Sequence, residues 1–499
     1  MKHSRETRTP ANGTKRPRRE AKLNVDWDLD SNDEDSDVDD HRKSQEDTLA
    51  DAQEHAETPA EKRLRVAREI LAKVQASQRR AGETGSDEDG SGSDEDDDDD
   101  TAKLNNGLDP VTQKLHHDLL RAEGRLRRPV AAALKQEDIS YHKCPRTHRL
   151  SVTCIALTGA EDVAYTGSKD CSIVRWDVET GKRVTRFPGR PATKQIAASS
   201  IKGHHDEVLA VAVSTDGRYL ASGGKDKVIH IWDARSNTLV DSFSGHRDAV
   251  SGLTFLNGKH TLYSSSFDRS VRAWNVDEMA YIESLFGHQA PILGIDCLYR
   301  ERAVTCSMDR SVRYWKFPEE SQLVLQGVHK SSIDTIAMAD ETHFVSGSQE
   351  GTLALWSTAK KKPSSIVRRA HGDSWICSVA AMPNADIAAS GAADGYVKLW
   401  NVDTTVRRIK APSLMSLPVP GYVNALAFGA SGRVLLAGCG QEHRLGRWER
   451  KSGGRNTLHI FRLPEYVHDL DAAAALKEAA EEAEREDAEA ASDEEGDDK

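Results

Sequence analysis

Long apolar runs are missing from this chain: no stretch approaches the roughly 20 residues that a membrane-spanning helix needs. The opening MKHSRETRTP has no apolar core of the kind a secretory signal carries. Paired cysteines are missing too. Cys144, Cys154, Cys171, Cys297, Cys306, Cys377 and Cys439 include no CxxC spacing, and their number is odd. Most lie in apolar runs such as SVTCIAL and SWICSVAAM, which predicts small buried hydrophobes in a reducing compartment. These absences predict a soluble intracellular protein with no membrane partner.

Charge is abundant but uneven. The chain has 80 acidic and 68 basic residues, a net of -12. Residues 26–40 hold nine acids and no base, residues 86–100 ten acids and no base, and residues 469–499 carry a net of -11. Those three stretches hold -30 between them, so the remainder carries +18, of which +11 falls on residues 101–468. A basic body flanked by acidic segments suits a polyanionic partner.

Residues 1–57 are polar and poor in aliphatics, which predicts disorder. Within them Lys15, Arg16, Arg18 and Arg19 cluster, either as a nuclear localisation signal or polyanion contact or as a solvated basic run. Residues 58–81 predict an amphipathic helix: Thr58 can cap it, Pro59 suits the first turn, and Glu61 completes a capping box. Leu64, Ala67, Ile70, Leu71 and Val74 form one narrow apolar stripe, suited to docking rather than to folding alone. Residues 82–108 read as an acidic linker, and residues 109–134 as a second helical segment.

From residue 148 short β-rich runs alternate with turn residues, and tryptophans mark a repeat. Trp176, Trp232, Trp274, Trp315, Trp356, Trp400 and Trp448 are spaced by 41–56 residues. A period of about 40–45 residues is that of a WD40 β-propeller, four strands to a blade. Six residues before each tryptophan stands an acid: Asp170, Asp226, Asp268, Asp309, Glu350, Asp394 and Glu442. Four residues before the acid in the first six copies is Thr166, Ser222, Ser264, Thr305, Ser346 or Ser390, and farther upstream His148, His204, His246, His288, His329 or His371. Sets such as His204, Ser222, Asp226 and Trp232, or His246, Ser264, Asp268 and Trp274, resemble the hydrogen-bonded chain of WD40 blades. Buried polar groups must pair, and a satisfied network selects one register. A hydrolase needs one Ser/His/Asp set, not six in the same spacing, so the sets read as structural. The histidines lack metal-ligand clustering, so neither a metal nor another cofactor is expected.

The expected fold is therefore all-β, a seven-bladed propeller over residues 148–463, with an N-terminal disordered and helical extension and an acidic tail at 464–499. Ring closure needs a terminal strand, and either NTLHIFRL (456–463) or a segment just before His148 could supply it. The last copy, GYVNALAFGASGRVLLAGCGQEHRLGRWER, has no histidine in place and Gly438 at the hydroxyl position, with Glu442 and Trp448 taken to hold their slots. It concentrates His443, Arg444, Arg447, Arg450, Lys451 and Arg455 in thirteen residues. These read either as phosphate and base contacts or as solvated charges of a degenerate blade.

Several strings go beyond the general repeat. GQEHRLGRW, SGHRDAVSGLTF, SFDRSVRAWNV, LFGHQAPI, PEESQLVLQG, the helix TPAEKRLRVAREILAKVQ and GRLRRPVA resemble the WD-repeat subunit of the U3 small nucleolar ribonucleoprotein. The resemblance spans about residues 58–463. It implies a nucleolar, non-enzymatic scaffold that binds the box B/C motif of U3 small nucleolar RNA beside a small kink-turn-binding protein. It also implies partners in the small-subunit processome, a role in the early cleavages that release 18S ribosomal RNA, and no small-molecule substrate. The long acidic tail departs from the family pattern. The competing reading is a protein-binding propeller, such as a histone reader or a ubiquitin-ligase substrate receptor.

Overall fold

The computed structural model describes residues 127–131, 134–187, 189 and 203–464. Lys15, Arg16, Arg18 and Arg19, the stripe Leu64, Ala67, Ile70, Leu71 and Val74, and the acidic tail lie outside them.

Seven antiparallel sheets follow one another along the chain, each packing its inner strand against that of the next, and the seventh against the first. Blade one sets the pattern: Val152–Leu157 innermost, then Val163–Ser168, Ile173–Asp177 and Arg183–Phe187 outward. The inner three strands are β-branched or small and almost wholly buried, whereas the fourth alternates toward solvent. Apolar clusters sit between blades rather than within them. Trp274, for example, joins residues of blades two and three, and Trp356 joins blades four and five.

Every inner strand carries a β-bulge near its start: Thr153, Leu209, Ser251, Leu293, Asp334, Cys377 and Asn424 are skipped by the ladder. A bulge leaves its residue unpaired and turns it aside. Here it turns toward the axis, so these seven residues ring the mouth of the central channel. Side chains bridge blades there: Thr153 Oγ1 donates to Val208 O (2.6 Å), Ser251 Oγ to Ile292 O (2.6 Å), and Asn424 Nδ2 to Val152 O (2.8 Å).

Both terminal candidates take part in closure. Thr457–Arg462 is the third strand of blade seven, and Ser140–Lys143 pairs with it as the fourth. The propeller therefore starts before residue 148. Tyr141 fastens the seam, with its hydroxyl 2.7 Å from His459 Nδ1 and its ring against Phe461.

Residues 127–131 are expected near the end of a helix and are instead irregular, with one isolated bridge from Arg128 to Ala385. Pro129 and the tertiary contacts of Arg128 override the local preference. Arg128 donates from its guanidinium to Ser431 O and Ala430 O, both at 2.7 Å, and its amide donates to Asn384 O. The amides of Val130 and Ala131 share Asp386 Oδ1, while Arg127 pairs with Asp403 at 3.1 Å. This segment latches blades six and seven together at the end of the sheets opposite the histidines.

Candidate nucleic-acid interface

The turns between second and third strands, and the connections from blade to blade, lie on one face of the ring. In blade two His204 Nδ1 is 2.7 Å from Asp226 and Nε2 is 2.7 Å from Ser222 Oγ, to which Trp232 Nε1 donates at 2.8 Å. A neutral imidazole has one donor and one acceptor. With Nδ1–H given to the carboxylate, Nε2 accepts from Ser222, and the chain runs in one direction from indole to acid. Blade three repeats it through His246, Ser264, Asp268 and Trp274 at 3.0, 2.8 and 2.9 Å. Blades four and six do so through His288 and His371. In blade one His148 stands farther from Asp170, at 3.6 Å. In blade five Nδ1 of His329 is buried without a partner, and burial lowers its pKa to about 4.

These chains have an electrostatic consequence. Burial opposes the charge of Asp268, but bonds from His246, Ser270 and the Arg247 amide outweigh it and hold the carboxyl well below its ordinary range. Asp170 and Asp309 are depressed in the same way. The histidine-paired acids of this face are thus turned inward and satisfied, while Asp206, Asp248 and Asp373 on the neighbouring connections stay exposed. Many bases beside them face solvent: Arg149, Lys225, Lys227, Arg247, Arg269, Arg310, Lys330, Arg368 and Arg369 are exposed on the same turns, with Lys225 paired to Glu207 at 3.0 Å and Arg369 to Asp373 at 3.5 Å. His204, Asp226 and His230 come together as three metal-capable groups, but both nitrogens of His204 are already engaged by Ser222 and Asp226.

Blade seven departs from the sequence expectation. Matched by strand register, Ala437 rather than Gly438 takes the hydroxyl position, since Leu426 faces Ala437 as Ile155 faces Thr166. The tryptophan position opposite Leu435 belongs to Phe461, as Trp176 lies opposite Ala164. Val419 stands four residues before Val423, where His204 stands four before Val208. Gln441, not Glu442, follows at the acid's position. Trp448 is therefore not the blade's anchor: its side chain is 68% exposed, while Phe461 is 3% exposed. The tryptophan spacing misled because sixteen residues, 441–456, separate the second and third strands here, against four in blade one.

That insertion folds back over the channel. Arg444 enters the mouth, and its Nη2 donates to Leu293 O at 2.8 Å and Asp334 O at 2.9 Å, two carbonyls freed by the bulges. Burial raises the pKa of Asp334, an effect moderated by Ser332, the Arg444 charge and Trp375, whose Nε1 donates to it at 2.5 Å. His443 stacks on Trp375 with centroids 4.0 Å apart. Burial, then the Arg444 and Lys169 charges, lowers the His443 pKa to about 3, so the ring is neutral. Lys169 Nζ donates to Gly446 O at 2.9 Å, Lys451 Nζ donates to Ala393 O, and the Tyr422 hydroxyl donates to Glu449 at 2.9 Å.

Of the six basic candidates, the structure thus divides the set. His443 and Arg444 hold the plug from inside, and Lys451 is half-buried over the Tyr422 ring. Arg447, Arg450 and Arg455 are exposed, Arg447 pairing with Glu442 at 3.3 Å and Arg450 bonding Gln441. Trp375 and Asp334 were not singled out beforehand. Trp375 stands nineteen residues after Trp356, outside the repeat spacing, and that was the available signal.

A family model described as "WD domain, G-beta repeat" matches residues 141–177, 196–233, 237–275, 280–316 and 363–401. The chain is 40% identical over 417 residues to human U3 small nucleolar RNA-interacting protein 2, covering 82% of each chain. It is 41% identical over 382 residues to a U3 snoRNP-associated protein-like protein of rice, covering 70% of this chain and 74% of that one. A solved structure of U3-55K matches with 44% identity and a TM-score of 0.61, over 66% of this chain and all of that one. By these similarities this chain belongs to the family of WD40-repeat proteins of the U3 small nucleolar ribonucleoprotein.

Proposed function

We propose that this protein is a non-catalytic RNA-binding scaffold of the U3 particle. It holds the box B/C region of U3 small nucleolar RNA together with a small kink-turn-binding protein, in the nucleolus. There it supports early pre-ribosomal RNA processing toward 18S ribosomal RNA, with residues 58–134 contacting other processome proteins.

One observation carries this reading: on the plugged face four acids are folded into histidine pairs, and exposed bases such as Arg149, Arg247, Arg269 and Arg310 outnumber the exposed acids Asp206, Asp248, Asp373 and Glu449. Such a face attracts phosphate at many points, and A-form RNA is recognised largely through shape and backbone. The plug also bears on the competing class. A peptide reader that uses the channel mouth would need the space that Arg444 fills.

The test is charge reversal of Arg447 and Arg450 in the full chain, with U3 RNA binding titrated at two salt concentrations. Each lost phosphate contact should lower affinity and flatten the salt slope by about one unit. Unchanged affinity and slope would remove the blade-seven bases from the interface. Recovery of no U3 RNA from crosslinked cells would favour the protein-binding class.

A further inference from the structure

We infer that Trp448 is a stacking platform for one unpaired nucleobase of the bound RNA, a role that rests on the RNA-binding reading above. The ring was counted as a blade anchor by spacing, and the fold releases it from that duty by giving the slot to Phe461. What remains is a tryptophan 68% exposed on the plugged face.

A single exposed apolar side chain needs no explanation by itself. Here the ring is held in place. Its underside rests on Gly446, where a Cβ would come within 2.7 Å of the indole, so a larger residue there would push the ring away. Trp375 and His443 flank it with centroids 5.5 and 5.6 Å away. The segment beneath is pinned by Arg444 in the channel and by Lys169 on the Gly446 carbonyl. One face of a preorganised indole is left open to solvent.

Its surroundings select the ligand. The neighbours in sequence are Arg447, Glu449 and Arg450, and Glu449 already accepts a hydrogen bond from Tyr422. A protein docking spot would surround its aromatic anchor with a rim that excludes water. This ring is instead bracketed by exposed guanidinium groups. Cations that take phosphates beside an aromatic that takes a base is how proteins grip single-stranded nucleic acid. The ligand class is therefore a looped-out or unpaired nucleotide next to a helix, with its backbone on Arg447 and Arg450.

The experiment uses the full chain, alone and with the small kink-turn-binding protein, and U3 RNA as probe. Trp448→Ala, Trp448→Phe, the Arg447→Glu/Arg450→Glu double variant and Val406→Ala are titrated at two salt concentrations. Val406 is also an exposed apolar residue (69%), in the turn between the third and fourth strands of blade six, on the opposite face. Trp448→Ala should weaken binding about 5- to 150-fold with the salt slope unchanged, because stacking releases no counterions. Trp448→Phe should retain most of the affinity, and Val406→Ala all of it. Ultraviolet crosslinking should join Trp448 itself to a base. Circular dichroism and thermal midpoints should match wild type for both Trp448 variants. If Trp448→Ala binds within twofold of wild type while the double arginine variant is impaired, the stacking role is overturned and the RNA-binding reading stands. If wild type prefers U3 RNA no better than an unrelated RNA, both fall. If Trp448→Ala keeps RNA affinity but loses a protein of the particle, the ring is a protein contact and the proposal is overturned.

Discussion

In blade two, His204, Ser222 and Trp232 are joined by bonds of 2.7 and 2.8 Å; the matching positions of blade seven hold Val419, Ala437 and Phe461, whose side chains can make none. All three of the latter are buried. Removing one partner from a buried polar chain is costly, yet replacing every partner with an apolar group of similar shape is close to neutral. The seventh blade replaces the whole set and keeps the fold. It then spends its second-to-third turn on a plug instead of a tight acid turn. The lesson is that the repeat signature and the blade are separable, and that the copy lacking the signature is where new surface is built.

The comparison can be broken most forcefully at Phe461. Phe461→Ala should cost about 3–5 kcal/mol by denaturant titration, as for a buried aromatic. Trp448→Ala should stay within about 0.5 kcal/mol. Equal losses would return Trp448 to the anchor position. Next comes Arg444→Met, which strips two charge-assisted bonds from the Leu293 and Asp334 carbonyls and should cost about 3 kcal/mol. Limited proteolysis should then cut within residues 441–456 while blades one to six stay resistant; an uncut plug would deny Arg444 its role as the pin. Ser222→Ala leaves His204 Nε2 and the Trp232 N–H unpaired and should lower stability by about 1–3 kcal/mol. An unaffected midpoint would show that the polar chain contributes as little as its apolar counterpart.

A further difference between the blades is read in pH. The His443 pKa lies near 3 in the fold, below the ordinary value of 6.5. As pH falls the unfolded chain takes the proton first, so stability present above about pH 6.5 is lost steadily toward pH 3. His443→Gln should remove up to one proton from that dependence, about 1.4 kcal/mol per pH unit. Matching slopes for wild type and variant between pH 6 and 4 would contradict the buried neutral ring.

Six blades were legible because each polar chain imposes several spacings at once, and four residue types must agree before a blade is read. His204, Ser222, Asp226 and Trp232 could be placed from sequence for that reason. Blade seven offered two elements of the pattern, Glu442 and Trp448, and neither holds its slot: the acid stands one residue late and the tryptophan lies in the long turn. Apolar substitutes such as Ala437 and Phe461 carry no distinctive signal among other core residues. The closing strand Ser140–Lys143 is short and exposed, and only pairing with Thr457–Arg462 reveals it. The latch at Arg128 depends on carbonyls more than 250 residues away, which no local pattern records. The plug's bases were visible as a cluster, but which of them point inward depends on two carbonyls in blades four and five.

The most direct test of the account is to crosslink the full chain to RNA in cells, sequence the RNA, and map the crosslinked peptides. U3 small nucleolar RNA joined to peptides containing residues 447–455 is the expected result. U3 RNA joined only to the opposite face, around residues 383–386 and 430–433, would contradict it, as would recovery of no U3 RNA.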